Sequence, residues 1–401
     1  MSGSVVPSLS SVSSILTKVA RQYESALNTN SIFFYPSKVT ILSQDVEGSS
    51  KSTTIPWTIR CVPALLDKAK EKHQQNSEST SAKASDLTKD AKKQQNPSDV
   101  FAPPYHPDLL VEELPKHTIL LNKFCVVPKH FLLVTREFAS QNVPPSPDTL
   151  TIAYRILQSH KALSAQRHDD VAHDKELLAF YNCGKVSGAS QPHQHMQFAE
   201  LGTEGQQEEN INSSLANVAI PVEQLLSRIP QDGREDEVYA LPLPYQHFVS
   251  IIRQPPTDDT EKLQDYLGMK LLSLLDAQFQ ARLAAYDAQK DKGASTDDHR
   301  SAPSWNLLMT TRAMHLIPRK KEEFDGLRER VNQEGKEHKE DGVDLVGSLS
   351  VNSLGYAGHL LVKSLKELEY LQTHPGGVID VLRQTGTPPV EDVTTATHHE
   401  N

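Results

Sequence analysis

The chain has 401 residues, 37% of them hydrophobic and 23% charged, with a formal net charge of −10. That is enough apolar material for one large core or two modest ones. The acidic balance excludes a protein that attracts nucleic acid through its overall charge, so an anionic substrate needs a local basic patch. Three cysteines, Cys61, Cys125 and Cys183, are widely spaced and form no CxxC, which argues against a disulfide framework or a zinc ribbon and fits a reducing compartment.

No stretch approaches the roughly 18 apolar residues of a membrane-spanning helix. The opening Met1-Ser2-Gly3-Ser4-Val5-Val6-Pro7 has neither the basic nor the apolar region of a secretory signal. The cytoplasm is the expected compartment, with the nucleus open to the same chain. Neither a membrane nor nucleic acid is an expected partner.

An amphipathic helix is predicted over 11–27, where Val12, Ile15, Leu16, Val19, Tyr23, Ala26 and Leu27 recur at helical spacing. Residues 57–62 read as a strand. From 68 to about 100 the chain is rich in Lys, Gln, Ser and Asp, cannot bury a face, and reads as a solvated insertion. Two apolar runs, 119–127 and 131–134, flank Pro128-Lys129 and predict a hairpin with a basic turn. Ser146-Pro147-Asp148 then starts a helix, with Ser146 as N-cap and Pro147 at the first helical position.

A strand over 177–181 runs into a small-residue loop, 184–192, and a second strand, 193–198. The polar stretch 201–232 reads as a linker between an N-terminal part (1–200) and a C-terminal part (233–380). The C-terminal part carries a strand over 247–253, a long helix over 263–286 and a hairpin from 305–309 and 314–319. Two polar insertions (287–302 and 320–341) interrupt it. A last helix starts after Asn352-Ser353 and carries Leu360, Leu361, Leu365, Leu368 and Leu371, and 381–401 reads as a disordered tail.

The tract with chemistry is 182–197. Alternate strand residues share a face, so His193, His195 and Gln197 point one way while Met196 and Phe198 suit a core. The loop before them, with Ser187, Gly188, Ala189 and Ser190, lets backbone N–H groups approach phosphate oxygens unobstructed. A neutral imidazole is a nucleophile once its other nitrogen is held by an acceptor, and His193 and Gln197 would then contact the phosphate under attack. The competing reading of two alternate histidines is a zinc site joined by Cys183. No second cysteine pair is near, and Gln197 is a poor zinc ligand; the small-residue loop favours catalysis.

These residues also carry a resemblance. Asn182-x-Gly184 through Ser187-Gly188-Ala189-Ser190-Gln191-Pro192-His193-Gln194-His195-Met196-Gln197 resembles the active-site signature of the fungal ATP adenylyltransferases, or diadenosine tetraphosphate (Ap4A) phosphorylases. They form part of the transferase branch of the histidine-triad superfamily, beside galactose-1-phosphate uridylyltransferase. Three further blocks are similar: Leu121-Asn122-Lys123-Phe124 with His130-Phe131-Leu132-Leu133-Val134-Thr135, Trp305-Asn306-Leu307-Leu308 with Met314-His315-Leu316-Ile317-Pro318-Arg319, and Asn352-Ser353-Leu354-Gly355-Tyr356-Ala357-Gly358 with Lys363.

The resemblance implies an α+β fold, a histidine-triad-like antiparallel sheet flanked by helices, with two halves forming one cleft. It implies His195 as the nucleophile that accepts the adenylyl group, His193 beside it, and Gln197 on the phosphate where the hydrolase branch has a third histidine. Substrate contacts carried over are Lys68, Asn122, Lys123, Asn182, the loop from Ser187 to Ser190, Asn352, Ser353, Leu354, His359 and Lys363. The implied reaction is phosphorolysis of Ap4A by phosphate to ATP and ADP, reversibly. Mg2+ is expected to arrive with the nucleotide, no resident metal is expected, and the chain is expected to act as a monomer. The alternatives are a hydrolase of the same superfamily, disfavoured by Gln197, a hexose-1-phosphate uridylyltransferase, and a nucleotide-binding protein without turnover.

Overall fold

Strands from both halves of the sequence join in one nine-stranded sheet in the computed structural model. The structure describes residues 6–7, 9–46, 52–64, 99–166, 175–202, 219–230, 233–290, 302–326 and 349–389. The first half contributes α1 (Leu9–Asn28), β1 (Phe33–Phe34), β2 (Lys38–Val46), β3 (Thr53–Cys61), β4 (Leu110–Glu113), β5 (His117–Leu121), β6 (Phe124–Cys125), β7 (Phe131–Thr135), α2 (Pro147–Ala165), β8 (Glu176–Cys183) and β9 (His195–Leu201). The second contributes a 3-10 helix (Pro221–Arg228), β10 (Tyr239–Ala240), β11 (Phe248–Ile251), α3 (Thr260–Lys290), β12 (Ser304–Met309), β13 (Ala313–Arg319), β14 (Glu323–Phe324), β15 (Leu349–Ser350), α4 (Ser353–Ala357), β16 (His359–Val362), α5 (Leu365–Thr373) and α6 (Gly377–Thr385).

The large sheet runs β10-β11-β13-β12-β8-β9-β7-β5-β4 with every pair antiparallel, so the α+β expectation holds. Its centre is the seam where β8, from the first half, pairs with β12, from the second. Alternation along each strand decides what each face meets. Met196 and Phe198 of β9 turn to a core shared with Val12, Ile15 and Val19 of α1, Leu150 and Ile156 of α2, and Leu263 and Leu274 of α3. On the opposite face, Phe180 and Ala199 pack with Ile55, Trp57 and Ile59 of β3 and Leu360 of β16. That second layer is a small sheet of order β16-β3-β2, whose β16–β3 pair is parallel.

Local signals set the helix starts. The Ser146 side chain accepts from the Thr149 N–H at 3.2 Å, with Pro147 in the first turn, as predicted.

Several boundaries differ from the sequence reading. The predicted last helix is two helices and a strand: α4 stops at Gly358, whose φ of 112° is the left-handed geometry glycine supplies, Leu360 and Leu361 lie on β16, and Leu365, Leu368 and Leu371 lie on α5. The expected linker 201–232 holds the 3-10 helix, because Val222 and Leu225 fill the second core. Within the expected insertion 320–341, Phe324 is buried on β14. The expected tail from 381 begins inside α6, where Val381, Leu382 and Thr385 are buried. The hairpin of 119–134 is β5 paired with β7, its connection lengthened because β6 leaves to pair with β1. Lys68 and the insertion around it lie outside the described residues, as does most of 287–302.

Candidate functional site

Register brings the motif residues together. Asn306 of β12 pairs with Asn182 of β8, and His195 of β9 pairs with Val134 of β7. Asn182 and Asn306 lie in strand alternation with the core residues Phe180 and Leu308, and His195 and Gln197 with Ala199, so all four are on the face away from α1, α2 and α3. His193 sits one bridge before β9, paired with Ser140 instead of lying in the strand proper.

His195 is 2% exposed and its Nδ1 lies 2.8 Å from the His193 carbonyl. A carbonyl only accepts, so Nδ1 carries the proton and Nε2 keeps its lone pair. Burial pushes the ring down from the usual range to about 4, against the favourable pull of the His193 carbonyl, so it is neutral at physiological pH. Among the described residues no hydrogen bond uses its Nε2.

His193 does a different job from the one expected of it. Its Nδ1 is 2.7 Å from the Asp99 carboxylate and its Nε2 is 2.7 Å from the Thr135 carbonyl, and the residue is 1% exposed. Both ring nitrogens are engaged within the protein, and what His193 offers the His195 ring is its backbone carbonyl. Asp99 also accepts from the Phe101 N–H at 3.0 Å, and the Phe101 ring lies 5.1 Å from that of His195.

Asn182 is a buried junction. Its Oδ1 accepts from Asn306 Nδ2 at 2.8 Å, the Ser353 hydroxyl at 2.6 Å and the Ser353 N–H at 3.1 Å. With that oxygen fixed, its Nδ2 is buried without a partner among the described residues. An oriented, unpaired amide donor can donate to an oxygen brought against it.

The small-residue loop is fixed from below. The Ser187 hydroxyl donates to the Gly184 carbonyl at 2.7 Å, so it is occupied internally. Its carbonyl accepts from Asn306 Nδ2 at 2.9 Å and Arg319 at 3.3 Å. Gly188 has φ +82°, and a Cβ there would stand 2.8 Å from the Asn352 Cβ. Glycine thus lets this loop touch the Asn352-Ser353 segment of the second half. Among the described residues no hydrogen bond engages the N–H groups of Gly188, Ala189 or Ser190, which stay available to an anion. Asn352 caps α4, accepting from the Leu354 N–H at 3.0 Å.

Arg319 locks the two segments together. Its guanidinium donates to the carbonyls of Ser187, Val351 (2.8 Å) and Lys321 (2.6 Å) and to Asn306 Oδ1 (2.6 Å), with its carbon 4.9 Å over the Tyr356 ring. Burial pushes its pKa down, yet it needs no carboxylate because carbonyl dipoles and a ring face surround it.

A second arm runs from Gln197 to other residues of the first half. Burial pushes the adjacent His130 down to about 4, against the pull of the Gln197 amide beside it. Asn122 Nδ2 stands 3.0 Å from His130 Nδ1. Lys123 holds its ammonium about 6 Å from the rings of Phe33 and Phe124, at 6.0 and 5.9 Å.

Two further expected substrate contacts, His359 and Lys363, lie at the start of β16 and just after its end. His359 is buried with Nε2 on the Ala219 carbonyl at 2.7 Å, and burial pushes it down to about 4. Lys363 directs its backbone N–H to Glu367 at 2.5 Å. Neither makes a hydrogen bond to His195 or Asn182. Among the described residues no three or more of His, Cys, Asp and Glu gather into a metal-holding group, the His193–His195–Cys183 combination included.

Residues 8–227 match the model of the Ap4A phosphorylase N-terminal domain, and residues 241–388 match that of the ATP adenylyltransferase C-terminal domain. The chain belongs to the Ap4A phosphorylase family. It is 29% identical over 293 residues to diadenosine 5',5'''-P1,P4-tetraphosphate phosphorylase 2 of Saccharomyces cerevisiae, covering 72% of this chain and 76% of the relative. It is 23% identical over 375 residues to Protein APA1 of the same yeast, covering 93% and 94%. The crystal structure of yeast Ap4A phosphorylase Apa2 in complex with AMP shares its fold, with a TM-score of 0.60 at 22% identity, covering 96% of this chain and 99% of that one. Another crystal structure of Apa2, in complex with Ap4A, superposes with a TM-score of 0.57 at 23% identity over 94% and 98%.

In this family member the sequence reading missed Gln141, Asp99 and Phe101 altogether, and quoted Asn306 and Arg319 without a role. Only the last two had a signal, as polar residues inside an otherwise apolar hairpin.

Proposed function

We propose that the chain catalyses the reversible phosphorolysis of Ap4A by phosphate to ATP and ADP, through an adenylyl-His195 intermediate. The observation that carries this is the presentation of His195: neutral, its Nδ1–H donated to the His193 carbonyl, its Nε2 unengaged among the described residues, beside the unpaired Asn182 amide. His195 Nε2 attacks the α-phosphorus, the bond from that phosphorus to the bridging oxygen breaks, and ATP leaves. Phosphate oxygen then attacks the same phosphorus, the P–N bond breaks, and ADP leaves with His195 neutral again. The N–H groups of Gly188, Ala189 and Ser190, the Gln197 amide and Lys123 stabilise charge on the transferring group. An amide at 197 holds the phosphoryl oxygens but cannot take a proton from water, which favours phosphate as the acceptor.

In this reading the N-terminal part (1–200) supplies the nucleophile and the C-terminal part (233–380) closes the cleft through Asn352 and Ser353. Mg2+ enters bound to the polyphosphate, and a cytoplasmic monomer suffices because both halves lie in one chain. The test is incubation of the purified protein with Ap4A and Mg2+, with and without phosphate, with nucleotides resolved by anion exchange. ATP plus ADP formed only with phosphate is the expected result. ATP plus AMP formed without phosphate means a hydrolase, and no product means a nucleotide-binding protein.

A further inference from the structure

Strands β8 and β9 pair as far as Phe180 and Gln197. Two residues further along each strand, the same register would set Asn182 opposite His195, the two residues on which the site depends. There the main-chain ladder is not made. The Gln141 side chain stands in its place: Oε1 accepts from the His195 N–H at 2.8 Å, and Nε2 donates to the Asn182 carbonyl at 2.8 Å and the His195 carbonyl at 3.3 Å. One primary amide thus satisfies three backbone groups of two facing residues, while being 2% exposed itself.

The glutamine is in turn held firmly. Its N–H donates to the Pro192 carbonyl at 2.8 Å. Its own carbonyl accepts from the Tyr181 hydroxyl at 3.3 Å, and that hydroxyl also reaches the Val143 carbonyl at 2.7 Å. Strands bonded directly would stand about 4.8 Å apart; an interposed side chain lets them part. The parting occurs where the nucleophile and the Asn182 amide need room between them for a phosphoryl group.

We propose that Gln141 is a positioning residue for the adenylyl transfer, fixing the backbones of His195 and Asn182 as one unit across the gap. This rests on the function proposed above. Only a side chain with one acceptor and two donors at one end makes these three bonds. Alanine removes all three, and an ionised glutamate keeps the first but turns an oxygen against two carbonyls. The consequence falls on the chemical step, because misplacing a nucleophile costs rate more than binding.

The experiment follows the burst of ATP released when wild type, Gln141→Ala and Gln141→Glu are mixed with excess Ap4A and no phosphate, alongside steady-state kcat and KM with phosphate. The expected result is a burst rate lowered about 10- to 100-fold in both variants, with KM for Ap4A within about threefold of wild type. Gln141→Glu is expected to recover part of its rate as pH falls from 8 to 6, where wild type is flat, because a protonated carboxyl in a buried site regains one donor. A role in folding alone would lower the burst amplitude with the folded fraction and leave the burst rate at the wild-type value, and if Gln141→Ala does not fold, Gln141→Glu carries the test. Wild-type burst rates in the folded variants, or losses confined to KM, overturn the proposal. If wild type gives no burst at all, the adenylyl-histidine reading itself fails, and the role of Gln141 in it falls too.

Discussion

Acidification should unfold this protein before it titrates His195. Burial pushes His117, His130, His195 and His359 down to about 4, and His247 well below its usual range. Each native value lies below the unfolded value near 6.5. Between about pH 6.5 and 4 the unfolded chain therefore binds more protons than the native one, and stability that is fully present above 6.5 drains as pH falls. At pH 5 each of the four costs about 2 kcal/mol, and the four together about 8 kcal/mol. A typical domain has about 5–15 kcal/mol in all. The acid limb of activity should then track loss of structure near pH 5, while His195 itself stays neutral to about pH 4. Urea melts at pH 8, 7, 6 and 5, followed by fluorescence of the two tryptophans, buried Trp57 and Trp305, read this directly. Midpoints that stay level from pH 8 to pH 5 would refute the reasoning, since they would mean these imidazoles can be charged in place.

Three substitutions probe other links. Arg319→Lys keeps the charge but cannot span the carbonyls of Ser187, Val351 and Lys321, so a loss of about 3–5 kcal/mol is expected in urea melts, with a raised KM for Ap4A. Gly188→Ala puts a Cβ 2.8 Å from that of Asn352 at a φ of +82°, and steady-state assays should show KM rising about tenfold or more with the protein still folded. Ser146→Ala removes the cap on the Thr149 N–H at the start of α2, far from the chemistry; about 1 kcal/mol of stability should go and kcat should not change.

What the sequence disclosed follows from what is periodic. The face of α1, the cap of α2 and the alternation that puts His195 and Gln197 opposite Met196 and Phe198 are local facts, written in spacing. The run after Asn352 misled because its leucines suit either a helix or a strand; Gly358 and the parallel edge of β3, more than 290 residues earlier, decide for a strand. Gln141 and Asp99 were illegible for a related reason. Each lies in an aperiodic segment and acquires meaning only when folding sets it against His195 or His193. His359 shows the converse, a polar residue near a motif that folding buries, with its Nε2 on the Ala219 carbonyl.

The most direct test of the central claim is to trap the intermediate. The protein is mixed with Ap4A and Mg2+ without phosphate, quenched in alkali, where an adenylyl-histidine survives, and mapped by peptide mass spectrometry. The account predicts one adenylyl group on the peptide bearing His195, one ATP released per adduct, discharge as ADP when phosphate is added, and no adduct in His195→Ala. Continued formation of ATP and ADP by His195→Ala, or an adduct on His130 or His193 instead, would contradict it.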